Sequence, residues 1–239
     1  MRLAQILFSQ GFGTRRECES LVAIGAVGID GRTLDDPAAE FDPHGLVLSV
    51  RGEAWPVHAK ALVLLHKPAD YECSQKPKHH PSVMNLLPPP LRRRGVQPIG
   101  RLDADTTGLL LLTDDGALIH RLTSPKKHVP KVYEIETTDP VSARQIEDLL
   151  RGVVLHDDPL PVRAAACERT GEHALRMTLL EGKYHQVKRM VAAAGNSVAR
   201  LHRSRFGALE LPPDLAPGAW RWLDGAHVVL GPTAQPQPH

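Results

Sequence analysis

The chain has 239 residues, 42% apolar and 23% charged, with 29 basic against 27 acidic side chains and a formal net charge of +2. This composition fits a globular protein and excludes global disorder, and the near-neutral total taken alone argues against a strongly basic nucleic-acid binder. The longest apolar runs, Ala61–Leu65 and Leu109–Leu112, are far shorter than the roughly 18 residues of a membrane span. The stretch from Met1 to Gln10 holds no signal-peptide core, so a cytoplasmic location is expected. Cys18, Cys73 and Cys167 are far apart and form no Cys-x-x-Cys pair, which predicts neither a disulfide framework nor a zinc site.

Taken in chain order, Leu3, Ile6 and Leu7 mark an amphipathic helix. Thr14-Arg15-Arg16-Glu17 reads as a capping box that starts a second one, with Gly25 just past its end. Val27–Ile29, a turn at Asp30-Gly31, and Leu46–Val50 predict a small sheet. Ala61–His66 and Leu109–Thr113 read as buried strands, and Leu86–Gly95, with three prolines and three arginines, as an exposed loop. Val132–Thr137 alternates as a half-buried strand, and Ser142 caps a helix that runs to Leu150. Ala174–Leu180 is a strand, Tyr184–Ala194 a helix and Val198–His202 a strand. Short strands and few helices in this order predict an α+β protein. A small two-helix-plus-sheet domain spans residues 1–55. A larger domain with a mixed or antiparallel sheet flanked by helices spans residues 60–231, and 232–239 is a disordered tail.

The charge is unevenly placed. Residues 1–50 hold four basic and seven acidic side chains. Residues 76–101 hold six basic and no acidic ones, 121–131 four and none, and 181–210 six and two. Brought onto one face, the three basic stretches would bind phosphate. Between them lies Gly100-Arg101-Leu102-Asp103-Ala104-Asp105-Thr106-Thr107-Gly108, a Gly-bracketed loop leading into an apolar strand. Catalytic groups sit often on such loops, and a carboxylate there can serve as nucleophile or base, but also as a turn cap. The residues alone do not choose between Asp103 and Asp105.

The loop from Gly100 to Leu109 resembles the signature of the pseudouridine synthases, and two further segments match in order, Lys131-Val132-Tyr133 and Glu181-Gly182-Lys183-Tyr184-His185-Gln186-Val187-Lys188-Arg189-Met190. The N-terminal unit resembles the small RNA-binding domain of ribosomal protein S-four. The run His120–Pro125, and Thr106-Thr107-Gly108 where relatives commonly have Thr-Ser-Gly, point to the branch that acts on the small ribosomal subunit.

The resemblance implies isomerisation of one uridine in ribosomal RNA, with a large-subunit enzyme or a non-catalytic ribosome-assembly protein as alternatives. It implies no metal and no cofactor. The partner would be ribosomal RNA, free or in an assembling small subunit, bound by a monomer without a membrane. Asp103 fills the catalytic position, either attacking C1′ or taking a 2′ proton, and Asp105 is left as a loop or cap residue. Lys188 fills the position of the cation that pairs with the aspartate, and Tyr133 that of a tyrosine stacked on the target base. Arg101 would fill the space of a flipped base or grip the flanking backbone, or else only fix the loop. His185 and Gln186 read as structural members of their motif. Arg15, Arg16, Arg92, Arg93, Arg94, Lys126, Lys127, Lys131 and Arg189 are the candidate RNA contacts. The N-terminal module begins Leu3-Ala4-Gln5 and lacks the lysine usual there.

Overall fold

The structure, a computed structural model, describes residues 1–156 and 158–231. The expected disordered tail, 232–239, lies outside the described residues. The chain divides into two compact units.

The first unit comprises Met1–Ala61 and Leu87–Gln97. It opens with α1 (Leu3–Ser9) and α2 (Arg15–Ala23), followed by β1 (Val27–Ile29), β2 (Arg32–Leu34), β3 (Val47–Val50) and β4 (Glu53–Pro56). The strands form an antiparallel sheet in the order β2-β1-β3-β4. Leu3, Ile6 and Leu7 of α1 pack with Cys18, Leu21 and Val22 of α2 against Val27, Leu48 and Val50, so the helical and strand periodicities meet in one core. The predicted capping box is present: Thr14 Oγ1 accepts the Glu17 N–H at 3.3 Å, and the Glu17 carboxylate accepts the Thr14 N–H at 2.6 Å.

The exposed loop expected at Leu86–Gly95 is not found. Pro89–Arg93 forms α3, and Leu87, Leu91 and Val96 are buried. Prolines in its first turn lose no helical hydrogen bond, and Leu87 and Leu91, four apart, supply a buried stripe. Gly11 allows the approach: at its φ of +88° a Cβ would lie 2.2 Å from the Pro90 carbonyl oxygen. Arg94 donates through Nη1 to Gln10 Oε1 and the His58 carbonyl, both at 2.9 Å, and through Nη2 to the Ala59 carbonyl at 3.2 Å.

The second unit comprises Leu62–Leu86 and the chain from Pro98 on. Its elements are β5 (Leu62–Lys67), β6 (Gln97–Pro98, where the chain leaves the first unit), β7 (Thr107–Thr113), α4 (Gly116–Thr123), β8 (Lys131–Thr137), α5 (Ala143–Arg151), β9 (Val153–Leu155), β10 (Asp158–Val162), β11 (Ala166–Gly171), β12 (Ala174–Leu179), α6 (Gln186–Ala193), β13 (Val198–Phe206), β14 (Leu209–Glu210), β15 (Trp220–Trp222) and α7 (His227–Leu230). The main sheet runs β11-β12-β8-β13-β7-β5-β15, antiparallel except for the parallel pair β13–β7. The fold is therefore α+β with a mixed sheet. Leu62–Leu65 and Leu109–Leu112 are buried without alternation, because both faces of the sheet centre are covered. One face packs Leu62, Leu64, Leu109 and Leu111 against Leu118 and Leu122 of α4, with Phe206 and Val229.

Three boundaries differ from expectation in ways that bear on the site. β5 extends one residue to include Lys67. β13 continues to Phe206 and so carries Arg203. α6 starts at Gln186, leaving Tyr184 and His185 outside the helix, with His185 at a φ of +46°. The helix α4, capped by Asp115 accepting the N–H groups of Ala117 and Leu118, is an element that the sequence reading does not contain.

Candidate active site

A cleft of about 340 Å³ in the second unit is lined by the Gly100–Asp103 loop, Lys131 and Tyr133 of β8, the Glu181–Lys188 segment, and Arg203 and Phe206 of β13. These are the three sequence motifs, brought together by strands far apart in the chain. The loop enters β7 beside β13, and Gly108 makes that crossing feasible. It pairs with Arg203 at a φ of +109°, and a Cβ there would lie 2.3 Å from the Arg203 carbonyl oxygen.

Asp103 presents its carboxylate to the cleft. One oxygen lies 3.1 Å from His185 Nε2 and the other 3.3 Å from Lys188 Nζ. Lys188 is shared: it also donates to both oxygens of Asp105, at 2.7 and 2.8 Å. Asp105 is therefore an ion-pair partner of the site rather than only a turn residue. Burial disfavours the Lys188 charge, but the bond to Asp105 and the Asp103 charge outweigh it and raise the ammonium above the ordinary lysine value. Asp105 likewise overcomes its desolvation through Lys188 and lies below the usual carboxylate value.

From the sequence His185 reads as a structural member of its motif, one of thirteen histidines in the chain. Its left-handed backbone outside α6 puts the imidazole on Asp103 instead, stacked on the exposed ring of Tyr184 with centroids 3.8 Å apart. Gln186 does hold structure. Nearly fully buried, it accepts the Lys183 N–H at 2.7 Å and donates to Glu181 at 3.1 Å, fixing the bend before α6. Lys183 itself pairs with Asp158.

Two basic groups were missed. Lys67 is fully buried beneath the loop and donates to the carbonyls of Pro68, Ala104 and Thr106 at 3.0, 2.9 and 2.8 Å. Burial pushes its ammonium below the ordinary lysine value, and the charges of Cys73, Asp105 and Asp103 oppose that shift. Its signal in the sequence was a lysine closing an apolar run just before a proline. Arg203, 2% exposed, lies on the cleft. No local pattern marks it, since a strand ending at His202 leaves it in a loop.

Tyr133 is buried and, with Lys131 two residues earlier on β8, lines the cleft. Arg101 is exposed at its rim. Lys126 and Lys127 are exposed on a short 3₁₀ turn, and Arg189 donates to the Tyr184 carbonyl at 3.0 Å. In the first unit Arg15 lies over Phe8, Arg16 is exposed, Arg92 and Arg93 are exposed on α3, and Arg94 is engaged as described. Among the described residues no group of three His, Cys, Asp or Glu side chains is placed to hold a metal ion. No helix there is long and apolar enough to cross a membrane.

The model of the RNA pseudouridylate synthase family matches residues 61–193. An uncharacterised RNA pseudouridine synthase of Bacillus subtilis, YtzG, is 39% identical over 98% of this chain and 100% of its own length. Ribosomal small subunit pseudouridine synthase A of Escherichia coli is 37% identical, covering 93% of this chain and 96% of its own. A crystal structure of a pseudouridylate synthase superposes with a TM-score of 0.67 at 32% identity, over 95% of this chain and 98% of the other. With the cleft assembled from the three motifs and these similarities spanning nearly its whole length, the chain belongs to the RNA pseudouridylate synthase family.

Proposed function

We propose that the protein isomerises one uridine of small-subunit ribosomal RNA to pseudouridine, with Asp103 as the catalytic carboxylate. The observation that carries the reading is the Asp103 carboxylate in the cleft with His185 and Lys188 on its two oxygens. The small-subunit assignment draws on the relatives that bear that name and align along nearly the whole chain.

The target uridine must first leave its stack, at a cost of a few kcal/mol. Tyr133 offers a ring for the flipped base, and Arg101 at the rim grips the flanking backbone or fills the vacated space. Asp103 then bonds to C1′ or takes the 2′ proton, and either route breaks the N1–C1′ bond. The base turns and C5 bonds to C1′ as the Asp103–C1′ bond breaks or Asp103 returns the proton to C2′; the C5 proton then leaves and N1 gains one. Lys188 and His185 keep the carboxylate oriented and charge-balanced in a site that excludes water. The first unit serves as the RNA-binding module through Arg15, Arg16, Arg92 and Arg93, and Lys126, Lys127, Lys131 and Arg189 complete the candidate contacts.

The test is to map pseudouridine in both ribosomal RNAs of cells with and without the protein. One small-subunit position should lose its modification in the deletion strain. Wild type should restore it and Asp103→Ala should not, while purified Asp103→Ala still binds the RNA. A lost site in the large-subunit RNA would replace the substrate, and full restoration by Asp103→Ala would remove the catalytic assignment.

A further inference from the structure

Arg203 is almost fully buried, yet it lines the cleft. Its Nε is fixed on the Leu109 carbonyl at 2.9 Å, while its Nη2 is buried without a partner. A buried cationic donor left unpaired is costly, and such groups collect where a ligand completes them. Lys131 lies beside it. The Lys131 Nζ and the Arg203 guanidinium carbon sit 5.2 and 5.1 Å from the centroid of the same ring, Phe206. Among the described residues neither forms an ion pair, and the Lys131 ammonium donates to the Val129 carbonyl at 3.0 Å. Two like charges over one ring, without a carboxylate, call for an anion. Thr106, whose buried hydroxyl is also unpartnered, lines the same cleft.

We propose that Arg203 and Lys131 form the anion subsite that receives a carbonyl oxygen of the uracil as the N1–C1′ bond breaks. In that step the bonding pair stays with the base. The resulting uracil anion spreads its charge from N1 onto O2 and O4, while C1′ bonds to Asp103 or loses its neighbour's 2′ proton to it. When C5 then bonds to C1′, the Asp103–C1′ bond breaks or Asp103 returns the proton to C2′, and the base, neutral again, exchanges its C5 proton for one at N1. Uridine is neutral in the ground state, so donors held ready for this charge lower the barrier without tightening binding. A backbone phosphate suits the place less well. The subsite is walled by Tyr133 and Phe206, whereas exposed cations such as Arg101 stand at the rim.

The inference rests on Asp103 chemistry, and the test separates the two. A ribosomal RNA fragment carrying the mapped uridine is prepared with uridine or with 5-fluorouridine, whose fluorine acidifies the base and makes it a better leaving group. Conversion is followed at saturating enzyme by digestion, chromatographic separation and mass spectrometry, as pseudouridine from uridine and, because a C5 fluorine cannot leave as a proton, as the C5-linked nucleoside that has added water across N1 and C6 from 5-fluorouridine; Kd is measured across salt concentrations. Arg203→Gln and Lys131→Gln should each slow the uridine reaction about 100-fold. In the Arg203 variant Kd and its salt dependence should stay unchanged, and in both variants the loss should shrink to about tenfold with 5-fluorouridine. Arg203→Lys and Lys131→Gln carry the test if Arg203→Gln does not fold. Equal losses on both substrates, or a weakened Kd with a flatter salt dependence in the Arg203 variant, would overturn the subsite while leaving Asp103 in place. A wild-type protein that converts neither fragment, or an active Asp103→Ala, would remove both readings.

Discussion

At the scale of single residues, Asp103 is not isolated. It shares Lys188 with Asp105, so one ammonium balances two carboxylates. Lys131 illustrates how burial sets behaviour. Desolvation, then the Arg203 charge, pushes its ammonium down to about 8, with Arg101, Asp103, Tyr133, Glu181, Lys183, Tyr184, His185 and Lys188 as the other titratable groups lining the cleft. Its charge is therefore lost as pH rises through about 8. If that charge serves the reaction, the wild-type single-turnover rate falls above pH 8, and Lys131→Arg keeps it, because arginine stays protonated. Stability moves the other way. Between about 8 and the unfolded lysine value near 10.4, the unfolded chain holds more protons than the folded one, so this residue makes folding more favourable as pH rises. Thermal midpoints of wild type and Lys131→Gln between pH 7 and about 10 check the sign: the wild-type midpoint should rise relative to that of the variant as pH increases.

At the scale of elements, the site depends on where strands cross. β7 and β13 lie parallel only because Gly108 has no side chain at its contact with Arg203. Gly108→Ala must shift one backbone against the other at a φ that alanine resists, and it should cost about 3 kcal/mol or more, seen as a lowered denaturant midpoint or insoluble expression. Gly116→Ala has nothing within 4 Å of its new Cβ and a helical setting, so it should cost nothing. Periodicity and cap residues read most elements correctly, including the capping box at Thr14 and the helix cap at Ser142. It failed where local preference and tertiary demand parted. The prolines before Arg92 suggested a loop until Leu87 and Leu91 found a buried place, and the helix from Tyr184 was shortened by the left-handed turn at His185. Both failures concern function, since one moved Arg92 and Arg93 onto a helix, with Arg94 as its C-cap, and the other moved a histidine onto Asp103.

At the scale of the whole molecule, the acidic N-terminal segment posed a puzzle for an RNA-binding module. Counted as the structure divides it, with Leu87–Gln97 included, the first unit holds nine basic and eight acidic side chains. The richest arginine cluster belongs to it. Arg92 and Arg93 are exposed, whereas Arg94 ties α3 to Gln10 and the His58 and Ala59 carbonyls. The three arginines should therefore behave differently. Arg92→Gln/Arg93→Gln should weaken ribosomal RNA binding about tenfold and lower its salt slope by one to two, with thermal stability unchanged. Arg94→Gln should lower the thermal midpoint by removing about 1.5–3 kcal/mol of charged hydrogen bonding. Filter binding across salt concentrations and thermal melts of each variant check both outcomes.

The sequence by itself determined the fold class, the order of most elements, the three motifs and the distribution of charge, because periodicity, caps and motif spacing are local properties. Tertiary structure decided which groups meet. Lys67 beneath the loop, His185 on Asp103, Asp105 on Lys188, and Arg203 beside Lys131 over Phe206 all join residues distant in the chain or turned by one backbone angle. A buried cation is recognisable only from what surrounds it. Those surroundings come from neighbouring strands whose pairing is set by packing the whole sheet.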